Sequence, residues 1–232
     1  MEEKAMVVKQ IIGLILLLSL TACQVKEQQN ITSSQEESMK WTMPYGDWNF
    51  EFFNPNALPT LVTYVRIVDY AGNILTYNNV DITEYDPESQ GHWSNLFRSS
   101  QLAYFNKVRL SSQYMIFCWD SIIDMKTYET SLFFPQEVWR KMKTPASYKA
   151  RSGNTVWYKT MLFGLAPEGK VRVWLQDVGN HPNYPVPVTD LKTVSGNELT
   201  ICKGITRHTK GYGYTKTTQE FIKDKTYPYG SW

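Results

Sequence analysis

Three histidines are the most versatile chemical groups of this chain of 232 residues, because imidazole binds metals and transfers protons near neutral pH. His92, His181 and His208 stand far apart in the sequence and match no metal-ligand spacing. We therefore expect each of them to lie in a loop or at the surface. The sequence predicts no metal site.

A nucleophilic triad can be drawn from Ser94, His92 and Asp120, among many other combinations. No Gly-x-Ser-x-Gly turn supports any such choice, and the chain has no phosphate-binding loop or dinucleotide fingerprint. The acidic run within 81–88 offers carboxylates to Ca²⁺, but it lacks the EF-hand pattern with its glycine, so we interpret it as a solvated loop. We predict a protein that is not an enzyme. A hydrolase with an unrecognised site is the least favoured alternative.

Cys23 is the cysteine whose chemistry the sequence specifies best. It follows the apolar run 11–20, which is too short to cross a bilayer core as a helix and is typical of the apolar part of a signal peptide. The motif Leu20-Thr21-Ala22-Cys23 resembles the bacterial lipobox, in which the chain is cut before the cysteine. The resemblance implies a diacylglycerol thioether on Cys23 and an acyl chain on the new amine. Apart from this covalent lipid, we expect no cofactor.

This anchor divides the chain into three parts. We predict a lipoprotein signal peptide at 1–22, a lipidated flexible tether at 23–40 and a single globular domain at 41–232. The tether is rich in Gln, Ser and Glu, so it cannot bury enough apolar surface to fold. Two or more acyl chains hold a protein firmly on a membrane, whereas one binds marginally. By analogy with enteric bacteria, Gln24 in place of Asp favours the outer membrane, with the domain facing the periplasm.

The two remaining cysteines, Cys118 and Cys202, both lie in apolar segments that read as strands, 115–119 and 199–202. In an oxidising compartment they could pair as a disulfide. The alternative is two buried free thiols that act as small apolar groups. The sequence leaves this choice open.

Charge and hydropathy patterns describe the rest of the domain. The formal net charge is +2 and no Lys/Arg cluster is present, so nucleic acid is not an expected partner.

Pro135 begins a short helix at 135–142, in which Glu137 is placed to pair with Lys141. We predict a mainly β fold, α+β at the margin, with antiparallel hairpins that form a sandwich or a curled sheet. One half-buried strand is predicted at 48–52, hairpins at 61–77, 114–134 and 156–178, an amphipathic piece at 219–222, and a polar excursion at 81–101.

Three stretches of the domain form a recognisable set. They are Pro44-Tyr45-Gly46-Asp47-Trp48, the hairpin block at 107–145, and the stretch LFGLAPEGKVRVWL at 162–175. Together with the lipobox they resemble a bacterial lipoprotein family known as domain of unknown function 2931. The third stretch is the most specific, although Glu168 is inserted in its turn. The family carries no established catalytic residues.

The resemblance implies a function, because some members of this family are encoded near phospholipase effectors of the type VI secretion system. We therefore expect a membrane-anchored, non-enzymatic binding module of the cell envelope whose partner is a protein, and an immunity protein against such a toxin is one version. The alternative is a module that binds glycan or peptidoglycan through exposed aromatic side chains. The candidates for that role are Trp93, Tyr212, Tyr214 and Trp232.

Overall fold

Residues 42–232 form two β-sheets that pack face to face, as a computed structural model shows. The structure describes residues 40–78, 80, 83–99 and 106–232. Cys23, the predicted signal peptide and nearly all of the predicted tether lie outside the described residues. Lys40 and Trp41 belong to a separate unit, in which the Lys40 ammonium lies 5.0 Å from the ring centroid of Trp41. Within the described residues, no helix is long and apolar enough to span a bilayer.

Sheet A has the strand order β10-β9-β8-β1-β4, with β5 also paired to β1, and sheet B has the order β11-β7-β6-β2-β3. The predicted mainly β sandwich with little helix is confirmed. The strands are β1 (Trp48–Pro55), β2 (Thr60–Asp69), β3 (Ile74–Asn78), β4 (Thr83–Asp86), β5 (Lys107–Val108), β6 (Ser112–Ser121), β7 (Lys126–Phe133), β8 (Thr160–Ala166), β9 (Lys170–Leu175), β10 (Tyr184–Pro185) and β11 (Lys192–Ser195), and the α-helices are α1 (Gln136–Met142) and α2 (Lys216–Ile222).

The three predicted hairpins are present as the antiparallel pairs β2–β3, β6–β7 and β8–β9. Strand β2 contains a bulge between Val62 and Tyr64. In a regular strand, residues 62 and 65 would lie on opposite faces. Because the bulge adds one residue, Val62 and Val65 can both point into the core. The extra residue, Thr63, donates its hydroxyl to the backbone oxygen of Cys118 at 3.3 Å.

Strand β1 differs from its prediction. Its alternating sequence predicts one polar face, yet nearly every residue of the strand is buried, including Glu51 at 8% exposure. The reason is its place in the middle of sheet A, where it pairs in parallel with β8 and β4. Central strands of this kind are covered on both sides. The core side carries Phe52, whose ring centroid lies 5.0 Å from that of Phe117 in sheet B.

Helix α1 closes one side of this core. Trp139 lies with its ring centroid 5.1 Å from that of Trp48, and Val138 and Met142 are buried beside it. The predicted pairing of Glu137 with Lys141 is wrong. Glu137 instead accepts a bond from Arg140 at 2.8 Å, while the Lys141 ammonium lies 4.5 Å from the ring centroid of Tyr158. The ring offers that cation a favourable face beside buried surface.

The interpretation of 81–101 as a polar excursion is also wrong in part. Thr83–Asp86 forms strand β4, and Trp93 and Phe97 are buried against the outer face of sheet A. Phe53 and Phe97 stack at 4.2 Å between ring centroids, and Trp174 joins the cluster. The stretch is polar in sequence, but the burial of its two aromatic side chains, Trp93 and Phe97, packs it against the sheet.

Two glycines of the family-specific stretch are explained by packing. A Cβ atom on Gly164 would lie 2.7 Å from Cη2 of Trp93 and 2.9 Å from Cζ3 of Trp174. Gly169 has a φ of +69°, and a Cβ atom there would lie 2.8 Å from Cε1 of Tyr128. The most specific part of the sequence therefore builds the fold, because only glycine leaves room for these rings.

Candidate functional site

The outer face of sheet B carries the polar and apolar side chains that the core does not use. One part lies under residues 196–214, which we call the covering segment. The other part is exposed and consists of one cross-strand row, which we call the open row. The open row runs through Ile74, Val68, Tyr114 and Phe133 on β3, β2, β6 and β7.

A disulfide bond joins the covering segment to the sheet. It links Cys118 on β6 to Cys202, with 5.4 Å between the Cα atoms, and both residues are fully buried. The strand predicted at 199–202 is wrong, because the chain turns at 201–204.

The turn forms because Glu129 on β7 takes up the backbone donors that a strand would need. Its Oε2 accepts bonds from the backbone N–H groups of Thr200 and Cys202, each at 2.9 Å, and its Oε1 accepts the Thr200 hydroxyl. Burial raises the pKa of Glu129, but these hydrogen bonds outweigh it and hold the pKa below its usual value. The ionised carboxylate therefore holds this turn in place.

A second carboxylate, Asp120, fastens the other end of the covering segment. It is fully buried and accepts bonds from the hydroxyls of Thr127 at 2.6 Å, Thr206 at 2.9 Å and Tyr212 at 3.0 Å. The backbone N–H of Arg207 adds a fourth bond at 2.9 Å. Because four donors occupy its oxygens, Asp120 is a structural anchor and not a free base.

The structure separates the members of the triad considered above. Asp120 lies on the outer face of sheet B, whereas His92 and Ser94 belong to the segment that covers sheet A. His92 is exposed and forms a bridge to Ser231, and the Ser94 hydroxyl accepts the backbone N–H of Leu96 at 3.0 Å. These three residues therefore form no catalytic unit.

The three histidines occupy three different places, all outside helices and strands. His181 is exposed and stacks on Tyr148 at 3.8 Å, and His208 is half-buried and stacks on Tyr212 at 4.5 Å. His208 lines a cleft of about 550 Å³ next to Lys126. Among the described residues, no three His, Cys, Asp or Glu side chains are grouped to hold a metal ion.

The open row is the apolar part of the face that remains in contact with water. Ile74 is 65% exposed and Phe133 is 53% exposed. The Tyr114 and Phe133 rings lie 4.9 Å apart, and Val68 is half-buried between Tyr114 and Ile74. A contiguous apolar row with exposed ends is a candidate interaction surface.

Arg66 lies in the next row, beside Ile116 on β6 and Thr76 on β3. Its guanidinium carbon lies 5.6 Å from the ring centroid of Tyr64. Its Nε is buried and has no hydrogen-bond partner within the described part of the chain. A buried donor without an acceptor is uncommon, so Arg66 is an unusual feature of this face.

The aromatic side chains that the sequence suggested for glycan binding are occupied within the fold. Trp93 is buried, and the ring of Trp232 packs 5.3 Å from it. Tyr212 donates to Asp120, and Tyr214 donates to the backbone oxygen of Ile123 at 2.8 Å. The open row was not predicted from the sequence, although the alternation in 126–133 places Phe133 on the same face of its strand as Thr127 and Glu129.

The comparisons with known proteins give one result. No curated protein and no solved structure matches the chain. A family model does match residues 26–230, and its description is protein of unknown function DUF2931. The match includes all three stretches that carried the resemblance, so the family expected from the sequence is confirmed. The chain belongs to the family of proteins of unknown function DUF2931.

Proposed function

We propose that this protein is a lipid-anchored protein of the bacterial cell envelope that binds a protein partner through the open row, without catalysing a reaction. The exposed row of apolar side chains beside Arg66 carries the proposal. Exposed Phe133 and Ile74, with half-buried Tyr114 and Arg66 beside them, resemble the few residue types that contribute most of the free energy of binding at protein interfaces.

The charge at this surface indicates what the partner offers. The Arg66 guanidinium has an unpaired Nε donor next to the ring of Tyr64. A carboxylate accepts two parallel hydrogen bonds from a guanidinium, and the adjacent Tyr64 ring lowers the local dielectric. We expect the partner to place an Asp or Glu side chain over Arg66 and apolar side chains over Phe133 and Ile74.

The anchor comes from the sequence at Cys23. Acyl chains there and the tether that ends at 40 would hold the domain near the membrane, and the outer membrane facing the periplasm is the proposed location. The disulfide between Cys118 and Cys202 supports an oxidising compartment, because such bonds persist there and are rare in the cytosol. Replacing Cys23 by Ser should abolish labelling by an alkyne analogue of palmitate and release the protein from the membrane fraction.

Site-specific crosslinking tests the binding surface. A photoreactive phenylalanine at position 133 is compared with one at position 96, since Phe133 and Leu96 are both 53% exposed. In producing cells, position 133 should give a defined adduct and position 96 should give none. Adducts of equal yield at both positions, or none at either, would contradict the proposed surface.

The finer proposal is that the partner is a secreted toxin of the phospholipase type, which this protein neutralises as an immunity protein. It rests on the family resemblance. Cells that export such a toxin, encoded beside this gene, should survive with the wild-type protein and die with Phe133→Glu combined with Ile74→Glu. Leu96→Glu is the control and should protect. Survival without any copy of this protein would remove the immunity version.

A further inference from the structure

A cleft at one end of the sandwich has the features of a second binding site. It lies where β1 and β4 of sheet A and the start of β2 of sheet B meet the beginning of α2, and it encloses about 530 Å³. This volume is typical of sites for small molecules. Both sheets and a helix contribute, so its walls are held by the main core of the protein.

The lining of this cleft combines apolar surface with neutral polar side chains, and none of its side chains is charged. Asn54 is 4% exposed and lies at the base with Thr60 and Thr218, which are also buried. Tyr85 also lines the cleft, and 64% of its surface is exposed. A charged ligand would lose hydration here without finding a counter-charge, whereas a neutral ligand with hydroxyl and amide groups would find matching partners.

Two threonine hydroxyls in this lining are unsatisfied. The Oγ1 atoms of Thr60 on β2 and Thr83 on β4 are buried and have no hydrogen-bond partner within the described residues. Buried hydroxyls are nearly always bonded, and leaving one unbonded costs free energy. Rotation about χ1 moves the hydroxyl of a threonine to another staggered position. A bound ligand can therefore supply bonds that the protein itself does not make.

We propose that this cleft binds a neutral oligosaccharide that carries acetamido groups. The hydroxyls of Thr60 and Thr83 match sugar hydroxyls, and the amide of Asn54, whose Nδ2 also donates to the backbone oxygen of Pro55 at 2.8 Å, matches the acetamido group. The exposed ring of Tyr85 matches the C–H face of a sugar ring, and Leu61 offers apolar surface to an acetamido methyl group. The site is separate from the open row and does not depend on the proposed function.

Calorimetry on the full chain in detergent tests the ligand class. Tri-N-acetylchitotriose should bind saturably at one site per chain, cellotriose more weakly, and trigalacturonic acid not at all. Tyr85→Ala should lower the affinity for the acetylated trimer by about 3- to 10-fold, which corresponds to the loss of one aromatic contact. The control is Tyr184→Ala on β10, where a tyrosine is 40% exposed outside the cleft, and it should leave the affinity unchanged.

Thr60→Val separates ligand binding from a purely structural role. Valine has the shape of threonine without the hydroxyl, so the ligand-free variant should melt at a higher temperature than the wild type. Its affinity for tri-N-acetylchitotriose should nevertheless fall. No saturable binding of that trimer by the wild type, equal binding of the acidic trimer, or an unchanged affinity in Thr60→Val would overturn the proposal. Phe133→Glu should leave the affinity intact, so this result is independent of the open row.

Discussion

The two outer faces of the sandwich are covered in different ways. Sheet A carries a second hydrophobic cluster, in which Trp93 and Phe97 from the segment after β4 pack on Phe53 and Trp174. Sheet B is covered only in part, and there the covering segment is attached by a disulfide and two carboxylates. Apolar packing extends over a continuous area, whereas bonds at a few points hold a segment in place and leave neighbouring rows free. The open row of sheet B is free for this reason.

The difference follows from the residues that each segment supplies. The segment over sheet A contributes large aromatic side chains, and burying one of them gives about 1.5–3 kcal/mol. In the covering segment, Cys202 is buried while its neighbours are half-buried or exposed. Without a core of its own, this segment depends on covalent and polar contacts. The predictions below test this contrast between the two faces.

The largest expected effect comes from removing the disulfide. The bond joins residues 84 positions apart, and closing a loop of this length stabilises a folded protein by about 2–4 kcal/mol. The double variant Cys118→Ala with Cys202→Ala should lose that much in urea denaturation. Limited proteolysis should then cut within 196–214 before it cuts near Trp93. Protection of the covering segment equal to that of the wild type would show that polar contacts alone hold it.

Gly164→Ala tests the other face. The new methyl group would overlap the rings of Trp93 and Trp174, and overpacking of this kind costs about 1–3 kcal/mol. The fluorescence of the tryptophans should change along with the stability, because the rings must move. Gly213→Ala is the control, since a Cβ atom there has no neighbour within 4 Å. If both variants unfold at the same urea concentration, the packing explanation of Gly164 is wrong.

The sequence predicted the hairpins because alternation and turn residues are local signals. It did not predict that β1 pairs in parallel with β8 and β4, because the partners of a parallel strand lie far away in the chain and leave no local pattern. The same limit applies to the candidate site. Cys118 and Cys202 were candidates for pairing, but the contact of Glu129 with Thr200 depends on tertiary structure. The open row was missed because Phe133 reads like a core residue in its strand.

Both outer faces also contain buried acids, and the pKa values of Glu51 on sheet A and Glu129 on sheet B are shifted in opposite directions. Burial raises the pKa of Glu51 to about 7, and the nearby charge of Glu84 adds to this effect. The one hydrogen bond from Asn106 acts in the opposite direction but does not outweigh burial. Glu129 on sheet B accepts bonds from the hydroxyl of Thr200 and from two backbone N–H groups, and its pKa is lowered. The number of donors thus decides which form of each acid the fold prefers.

Glu51→Gln should raise the stability of the protein at neutral pH, because ionisation of Glu51 destabilises the folded state. The folded state of the wild type prefers the protonated acid, so Glu51 costs nothing below pH 4.5, and the cost grows as the pH rises to about 7. One pKa unit corresponds to about 1.4 kcal/mol, and solvent relaxation reduces the full effect, so the variant should gain about 1–2 kcal/mol at pH 8. Urea denaturation at pH 4.5 and pH 8 measures the difference. A variant whose stability falls between these pH values as steeply as that of the wild type would show that another group is responsible.

Glu129→Gln should give the opposite pH dependence and the smallest of these effects. Because the folded state lowers the pKa of Glu129, its stabilisation is present above the unfolded pKa, near 4.5, and is lost as the pH falls through the folded value. The variant should be less stable than the wild type at pH 7, and the two should converge on acidification. Hydrogen exchange at Thr200 and Cys202 gives the local readout, since their N–H groups lose a charged acceptor. If polar bonds hold the covering segment on sheet B, the N–H groups of Thr200 and Cys202 should exchange faster in the variant. If apolar packing holds the segment over sheet A, exchange at Trp93 should stay unchanged.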